Sequence, residues 1–171
     1  MCSEIEQVIT DLISEDPYNC DKSRVLVFVL GDESRVAFEK IVPGALQLNS
    51  SIGSVLRSRN DIDILFLNKP QVLFMYLMKL DALENGKESI DYNYIIFYGL
   101  DCLIKEINNK NENHGQFDLE QVRLSNLIYN IAFRIKRKHS LKGLRYIPLR
   151  DDEENTSNSL RKIEEYWETV C

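Results

Sequence analysis

Four short apolar segments along the chain have the composition of strands buried inside a sheet. Residues 24–30 (RVLVFVL) and 62–67 (IDILFL) are rich in β-branched and aromatic side chains. Residues 92–98 (YNYIIFY) and 143–149 (GLRYIPL) have a similar composition, and Pro148 favours a position near an edge of the sheet for the last of them. We predict four strands, the first two of the buried type that is covered on both faces.

The segments between the strands have the periodicity and the end signals of helices. Residues 4–15 carry apolar side chains at the i, i+3, i+4, i+7 spacing of one helix face, and Pro17 follows them. Pro70 suits the first turn of a helix, and Asp118 with Gln121 has the spacing of a capping box. The predicted helices span residues 4–15, 33–41, 70–84, 102–107, 119–138 and 159–170, with one further brief helix capped by Ser50 or Ser51.

Strands that alternate with helices are typical of a mostly parallel sheet covered by helices on both faces, so we predict a three-layer α/β fold. The length of 171 residues fits a single domain over residues 1–171, with an N-terminal helical segment (1–22) and a C-terminal helix (159–171). The remaining predicted features are a helix stop at Pro43 and Gly44, a short strand at 45–48, a mobile surface loop at 108–115 and a charged linker at 150–158.

Composition narrows the class of protein. The net charge of −6 excludes a uniformly basic, histone-like binder of nucleic acid. No apolar run reaches the roughly 20 residues of a membrane span, and the N-terminus is acidic where a signal peptide is basic. We expect a soluble intracellular protein without membrane contact. The four cysteines lack the spacing of a zinc site or a disulfide framework, so we predict a buried, inert thiol at Cys102 and no bound metal.

The residues that follow the buried strands argue against nucleotide chemistry. The first strand ends in LGDESR, which lacks the second glycine and the lysine of a phosphate-binding loop, and Asp32 and Glu33 would repel a triphosphate. The third strand ends in YGLD, where Asp101 resembles a magnesium ligand that has no nucleotide to serve. We interpret Asp32 and Asp101 as caps of the helices that follow. Because GxSxG, HExxH and paired-carboxylate motifs are absent, we predict that the protein is not an enzyme and binds no cofactor and no small-molecule substrate.

Charge is distributed unevenly along the last third of the chain. Residues 122–150 contain eight basic and no acidic residues, whereas residues 151–171 contain seven acidic and two basic ones. The basic cluster could contact nucleic-acid phosphates, although no aromatic side chains interleave it. Alternatively, it is a basic last helical turn that the helix dipole favours and that pairs with the acidic tail. The candidate DNA contacts are Arg134, Lys136, Arg137, Lys138, Lys142 and Arg145.

The predicted helix 70–84 is more apolar than a surface helix requires. Leu73, Leu77 and Leu80, with Met78 as a further inward candidate, form the one stripe that packing on a sheet needs. The surplus apolar residues either pack under a loop or form a partner surface. The aromatic pair near the end of the chain is of a type found at interfaces, although Trp167 also suits a core anchor for the last helix. The candidate partner-binding residues are Phe74, Met75, Met78, Tyr166 and Trp167.

An ordered series of segments resembles a known family. VLVFVLGDESR, then SIGSVLRSRNDIDILFLNKPQVLFMYLMKLDALENG, then YNYIIFYGLD are similar to the smallest subunit of the yeast Shu complex. The similarity covers residues 24–101 well, and QVRLSNLIYNI with the terminal LRKIEEYWETV extends it more loosely. The resemblance implies a degenerate relative of the RecA-family recombinases, with an ATPase-like core that lacks nucleotide-binding motifs and has no catalytic residue to transfer.

The function that the resemblance implies is that of a non-catalytic scaffold subunit in the nucleus. Its partners would be other Shu subunits, notably a zinc-binding SWIM-domain protein and a RecA-like subunit. The complex assists recombinase filament assembly on single-stranded DNA, in homologous recombination and error-free damage tolerance. The residues leave two alternatives open: a stand-alone nucleic-acid-binding module that uses the basic segment 134–145, and a small-molecule-binding domain or cryptic enzyme that uses Asp32 and Asp101.

Overall fold

A computed structural model of the chain describes residues 4–14, 24–48, 52–83, 90–106, 118–149 and 155–171. The elements formed by these residues are, in chain order, α1 (Glu4–Ser14), β1 (Val25–Leu30), α2 (Asp32–Leu48), α3 (Ile52–Asn60), β2 (Ile62–Leu67), α4 (Pro70–Ala82), β3 (Tyr94–Tyr98), α5 (Leu100–Lys105), α6 (Leu119–Lys138), β4 (Gly143–Ile147) and α7 (Asn155–Val170). All four predicted strands are present, each within two residues of its predicted ends.

The four strands form one parallel sheet in the order β2-β1-β3-β4. Val25 of β1 lies opposite Ile62 of β2 and Tyr94 of β3, and Tyr94 lies opposite Gly143 of β4. Helices cover both faces of this sheet. The predicted three-layer α/β fold is therefore confirmed, and it is consistent with the RecA-like core that the resemblance implies. β4 lies at an edge, as Pro148 indicates.

Alternate residues of β1 contribute to two cores, one on each face of the sheet. The even-numbered residues, such as Phe28, join the larger core with α4, α5, α6 and α7. The odd-numbered residues join a smaller core, in which Ile5 of α1 and Phe38 of α2 are buried. Because all six residues of β1 are buried, the prediction of a strand covered on both faces is confirmed for β1.

The same prediction is wrong for residues 62–67. β2 is an edge strand, and its Ile64 and Phe66 side chains are 38% and 42% exposed. Phe66 packs edge-on against Phe38 with the ring centres 6.1 Å apart, and the Arg35 guanidinium lies 5.2 Å from the centre of the Phe66 ring. A strand with only one neighbour is covered incompletely whatever its composition, so an apolar run does not distinguish an edge strand from a central one.

The predicted helix stop at Pro43 and Gly44 is wrong, and so is the short strand at 45–48. Helix α2 continues to Leu48 with Pro43 inside it. Proline removes the N–H that would bond to the carbonyl oxygen four residues earlier, which belongs to Glu39. Since Pro43 and Glu39 are both exposed, water can solvate that carbonyl, and the helix tolerates the interruption.

The last two long helices show where end signals are reliable. The capping box of α6 is confirmed: the Asp118 carboxylate accepts the main-chain N–H of Leu119, and Gln121 Oε1 accepts that of Asp118. Helix α7 begins at Asn155, so residues 155–158 are helical and not part of a linker. A local hydrogen-bonding pair therefore marks a helix start better than a change in composition does.

Cys102 is buried as predicted, and burial raises the pKa of its thiol to about 12. Among the described residues, no helix combines the length and the apolar character needed to cross a membrane. Several predictions fall outside the described residues, namely the caps at Ser50 and Ser51, the loop 108–115, the linker residues 150–154, Cys2 and Cys20.

Candidate interaction surfaces

Helix α4 presents apolar side chains to solvent as well as to the core. Leu73, Leu77 and Leu80 are buried against the sheet, as their spacing predicts. On the opposite side, Met75 is 69% exposed and Met78 is 42% exposed. Val72 continues this exposed stripe by one turn. We define the α4 surface as Val72, Met75 and Met78.

The other three candidate partner-binding residues differ in how they are placed. Phe74 is half-buried and packs against the larger core. Trp167 packs against the same core, and its indole N–H donates to Asn126 Oδ1 at 3.2 Å. Tyr166 is 58% exposed, and its ring meets that of Trp167 edge-on with the centres 5.6 Å apart. The exposed tyrosine is available to a partner, whereas the two packed side chains also stabilise the fold.

Two of the candidate DNA contacts are bonded to the end of α4. The Arg134 guanidinium donates from Nε and Nη2 to the Asp81 carboxylate, with 3.2 Å between Nε and Oδ1. The Lys138 ammonium donates to the main-chain carbonyl oxygen of Asp81. Asp81 is buried, so the arginine compensates a carboxylate that would otherwise be costly to bury. These two cations therefore hold α4 against α6.

Two more candidate DNA contacts lie beside acids of the same chain. Arg145 of β4 bonds to Glu4 of α1 over 2.6 Å, and Lys136 of α6 lies 3.9 Å from Glu168 of α7. The second pair joins the basic segment 122–150 to the acidic segment 151–171, which is one of the two alternatives that the sequence left open. Arg137 is exposed in the last turn of α6. The charge of the basic segment is thus partly compensated within the chain, and its contact with DNA stays a prediction.

Three carboxylates, two from α2 and one that follows α5, lie around the turn between β1 and α2, where a nucleotide phosphate would bind. Gly31 (φ 88°) makes the turn and precedes the helix, which begins at Asp32, so the predicted role of Asp32 as the cap is wrong. Glu33 follows in the first turn. The Glu106 carboxylate accepts a main-chain hydrogen bond from Asp32, and its pKa is raised by burial and by the charges of Asp32 and Glu33. A helix N-terminus attracts anions, but here the chain's own acids surround it.

Asp101 is a buried carboxylate that joins the ends of two strands. Gly99 (φ 76°) holds the cap position of α5, so the predicted capping role of Asp101 is wrong. Asp101 Oδ1 accepts the main-chain N–H of Leu149 at 3.2 Å. Burial raises the pKa of Asp101, and the hydrogen bond from Leu149 opposes that rise. The carboxylate is committed to the connection after β4 rather than exposed to a ligand.

A cleft that sequence reasoning missed runs along the outer edge of β4. It has a volume of about 820 Å³ and lies between α1 and α7, which cover opposite faces of the sheet. Oε1 of Glu164 accepts the main-chain N–H of Tyr146 at 2.8 Å, and burial raises the pKa of this carboxyl to about 7. The signal present in the sequence is the acidic face of α7, formed by Glu164, Glu165 and Glu168. That signal does not say which strand the face meets.

Comparison with known proteins identifies the family. The profile of the family described as Suppressor of HU sensitivity involved in recombination protein 1 matches residues 6–171. A relative with the same description, from Saccharomyces cerevisiae (strain ATCC 204508 / S288c), is 31% identical over 102 residues, which cover 57% of this chain and 63% of the relative. The chain thus aligns with less than two thirds of the length of that relative. The resemblance found in the sequence is confirmed, and the chain belongs to the family of Suppressor of HU sensitivity involved in recombination protein 1.

Proposed function

We propose that this chain is a non-catalytic scaffold subunit of a Shu complex. In this role it would help the complex to assemble recombinase filaments on single-stranded DNA, in homologous recombination and error-free damage tolerance. The family and its yeast relative carry names that refer to recombination, which supports the process. The observation that carries the scaffold role is the α4 surface, since Met75 and Met78 belong to neither core and are exposed to solvent.

The carboxyl ends of the strands support a role without catalysis. Ligands of parallel α/β sheets bind at these ends. Here Asp32, Glu33 and Glu106 surround the start of α2 with negative charge, and Asp101 is buried and hydrogen-bonded. A nucleotide would meet repulsion at the first position and no accessible ligand at the second.

The α4 surface has the physical properties of a contact with a protein partner. A helix that packs on a sheet needs one apolar stripe, and α4 has a second one exposed to solvent. Methionine side chains are flexible and polarizable, so they adapt to the shape of a partner. Full burial of one such side chain is worth roughly 1.5–3 kcal/mol. We assign this surface to another Shu subunit, with the zinc-binding SWIM-domain protein as the first candidate, a RecA-like subunit as the second, and the nucleus as the site of assembly.

Co-expression with the SWIM-domain subunit tests the proposal. Size exclusion with light scattering is expected to show a 1:1 complex, which the double substitution Met75→Glu with Met78→Glu abolishes. Val36→Glu is the matched control, because Val36 is a similarly exposed apolar residue on α2, at the other face of the sheet. Circular dichroism should show that both variants remain folded. A complex that survives the double substitution would reject the α4 surface, and a monomer that ignores the partner would reject the scaffold role.

The alternative function, a stand-alone nucleic-acid-binding module, has weaker support. It depends on the basic segment 134–145, in which Arg134, Lys136 and Arg145 already lie within 4 Å of carboxylates of the same chain. Such ion pairs reduce the free energy gained from contact with phosphate, because each cation must leave its carboxylate or divide its charge between the carboxylate and the phosphate. A titration of the isolated chain with DNA across salt concentrations separates the two functions.

A further inference from the structure

The outer edge of β4 directs main-chain groups into the cleft between α1 and α7. Alternate residues of a parallel strand direct their N–H and C=O groups to the same side. The C=O of Ile147 accepts the N–H of Gly99, on the β3 side. Leu144 and Tyr146 therefore direct their main-chain groups to the opposite side, which is the cleft. An edge of this kind is a template for the addition of another strand.

Glu164 takes the place of a pairing strand at this edge. Its Oε1 accepts the Tyr146 N–H at 2.8 Å, which is the bond that a carbonyl oxygen of an added strand would make. The position is an unfavourable one for a carboxylate, because burial and, less strongly, the charge of Glu168 raise its pKa. An incoming carbonyl would release Glu164 to water while keeping the hydrogen bond of Tyr146. The edge of β4 is thus covered by the Glu164 carboxylate, whose displacement costs little free energy.

The walls of the cleft carry an excess of negative charge. Five carboxylates and two guanidinium groups line it. Both guanidinium groups, those of Arg145 and Arg161, approach Glu4, at 2.6 Å and 3.9 Å. Within the described part of the chain, Asp11 of α1 and Glu165 of α7 have no ion-pair partner. The apolar lining on the α1 side comes from Val8, Leu12 and Tyr94.

We propose that this cleft binds an extended segment of a partner protein, paired with β4, in which apolar side chains facing α1 alternate with basic side chains facing α7. Successive side chains of a strand point to opposite faces of the sheet. One face of the added strand would therefore meet Val8 and Leu12, and the other would meet the acidic face of α7. Five residues of β4 extend over roughly 17 Å, which sets the length of the paired segment at about five residues.

The charge of the cleft argues for a partner rather than for this chain as the occupant. Residues 15–23, which follow α1, contain three acidic residues and one basic residue. Residues 150–154, which precede α7, contain four acidic residues and one basic residue. Both segments have the same sign of charge as the cleft. The basic residues of α6 in a second copy belong to a helix, so they do not offer a strand.

The ion pair between Arg161 and Glu4 crosses the cleft and must open for the segment to enter. Arg161 Nη2 of α7 lies 3.9 Å from Glu4 Oε2 of α1, which covers the opposite face of the sheet. Long pairs between exposed side chains contribute little to stability, so opening this one costs little. Arg161→Ala removes the bridge together with one positive charge from an acidic cleft. We expect this variant to bind a basic segment several-fold more tightly.

The test uses the full chain, labelled with ¹⁵N, and a capped peptide with the sequence KVKVKVK. Binding is expected to shift the amide signals of Leu144 and Tyr146 and to slow the hydrogen exchange of Leu144; Tyr146 is already hydrogen-bonded to Glu164 in the free chain. The peptide EVEVEVE should not bind. A KVKVKVK peptide with N-methyl groups on the backbone nitrogens of one edge should bind about tenfold more weakly, because it cannot complete the ladder. Equal binding of the N-methylated peptide would overturn strand pairing and leave only charge attraction.

Variants of the chain separate the cleft from other acidic surfaces. Glu165→Gln is expected to weaken binding of KVKVKVK several-fold, since it removes an unpaired charge from the α7 face that the basic side chains meet. The matched control is Glu120→Gln, which removes an exposed charge at the start of α6. Equal effects of the two, or a Leu144 amide that is already protected in the free chain, would overturn the proposal.

The proposals for the cleft and for the α4 surface can be refuted independently of each other. They lie at opposite edges of the sheet, since α4 contacts β2 and the cleft follows β4. The variant with Met75→Glu and Met78→Glu is therefore expected to bind KVKVKVK as the wild type does. Loss of peptide binding in that variant would contradict the assignment of the peptide to β4.

Discussion

Replacing Glu164 by glutamine is expected to remove a large part of the pH dependence of folding stability. Burial raises the pKa of Glu164 from 4.5 to about 7. The folded chain therefore holds a proton that the unfolded chain releases between these two values. The contribution of this carboxyl to stability is fully present below about pH 4.5 and is lost as the pH rises through about 7. Glutamine keeps an oxygen that accepts the N–H of Tyr146 but does not ionise.

The size of the effect follows from the two pKa values. One pKa unit corresponds to about 1.4 kcal/mol, so the interval from 4.5 to about 7 corresponds to roughly 3 kcal/mol, most of it between about pH 5 and about pH 8. Burial also raises the pKa values of Asp101 and Glu106, which gives the wild-type curve a further slope of the same sign. The difference between wild type and Glu164→Gln isolates the contribution of Glu164.

Urea unfolding followed by circular dichroism at about pH 5 and about pH 8 measures this difference. Between the two conditions, wild type is expected to lose roughly 2–3 kcal/mol more stability than Glu164→Gln. The variant should therefore be the more stable of the two at the higher pH. Glu165→Gln changes the adjacent, exposed glutamate and should leave the slope unchanged. Parallel curves for wild type and Glu164→Gln would refute the reasoning about its burial.

Three further predictions concern the ends of the strands and the basic segment. Gly99→Ala should cost more than about 2 kcal/mol in urea unfolding, because a Cβ would lie 1.8 Å from Ser34 Oγ at a φ of +76°. Gly31→Ala, with its nearest neighbour at 3.3 Å, should cost less, and equal losses would exclude the steric cause. Arg134→Ala should lower the thermal midpoint because it leaves Asp81 buried with one partner fewer, and adding Asp81→Asn should restore part of the loss. Binding of the isolated chain to single-stranded DNA should depend on salt with a log–log slope of about −2 or shallower, since at least four of the six candidate cations already contact groups of the same chain, whereas a slope near −4 would indicate that all six reach phosphate.

The elements that sequence predicts correctly are those whose signals are local. β1 is recognised by its composition, α6 by its capping box, and the inward face of α4 by the spacing of three leucines. The sequence prediction assigns the caps of α2 and α5 to the wrong residues, although both positions share a signal that could have identified the cap. Both strands are followed by a glycine (LGD and YGLD), and at a positive φ the glycine itself takes the cap position, so Asp32 and Asp101 fall inside the helices. The exposure of β2 is not local, because it depends on how many strands pair with it.

Of the candidate surfaces, the α4 surface can be predicted from local spacing, and the cleft at β4 cannot. At about 100° per residue, Met75 lies roughly 200° from Leu73 around α4, so helix geometry alone separates it from Phe74, which lies beside the buried stripe. The observed exposures agree with those angles. The cleft at β4 has no such local signal. Glu164 and Tyr146 are separated by a segment whose path no spacing rule predicts, and α1 comes from the other end of the chain.

The contacts at the carboxyl end of the sheet differ in strength from those at its edges. At the carboxyl end, the groups that a ligand would use are bonded within the chain: Asp101 holds Leu149, and Glu106 faces the start of α2. At the edges, Met75 is mostly exposed and has little packing to lose, and the Tyr146 N–H is bonded to a carboxylate that burial disfavours. The free energy of binding is what remains after the contacts that the ligand replaces have been subtracted. Partner binding is therefore favoured at the edges of the sheet and not at its carboxyl end. Three strand spacings, about 14 Å, separate β2 from β4, which leaves room for two partners to bind at the same time.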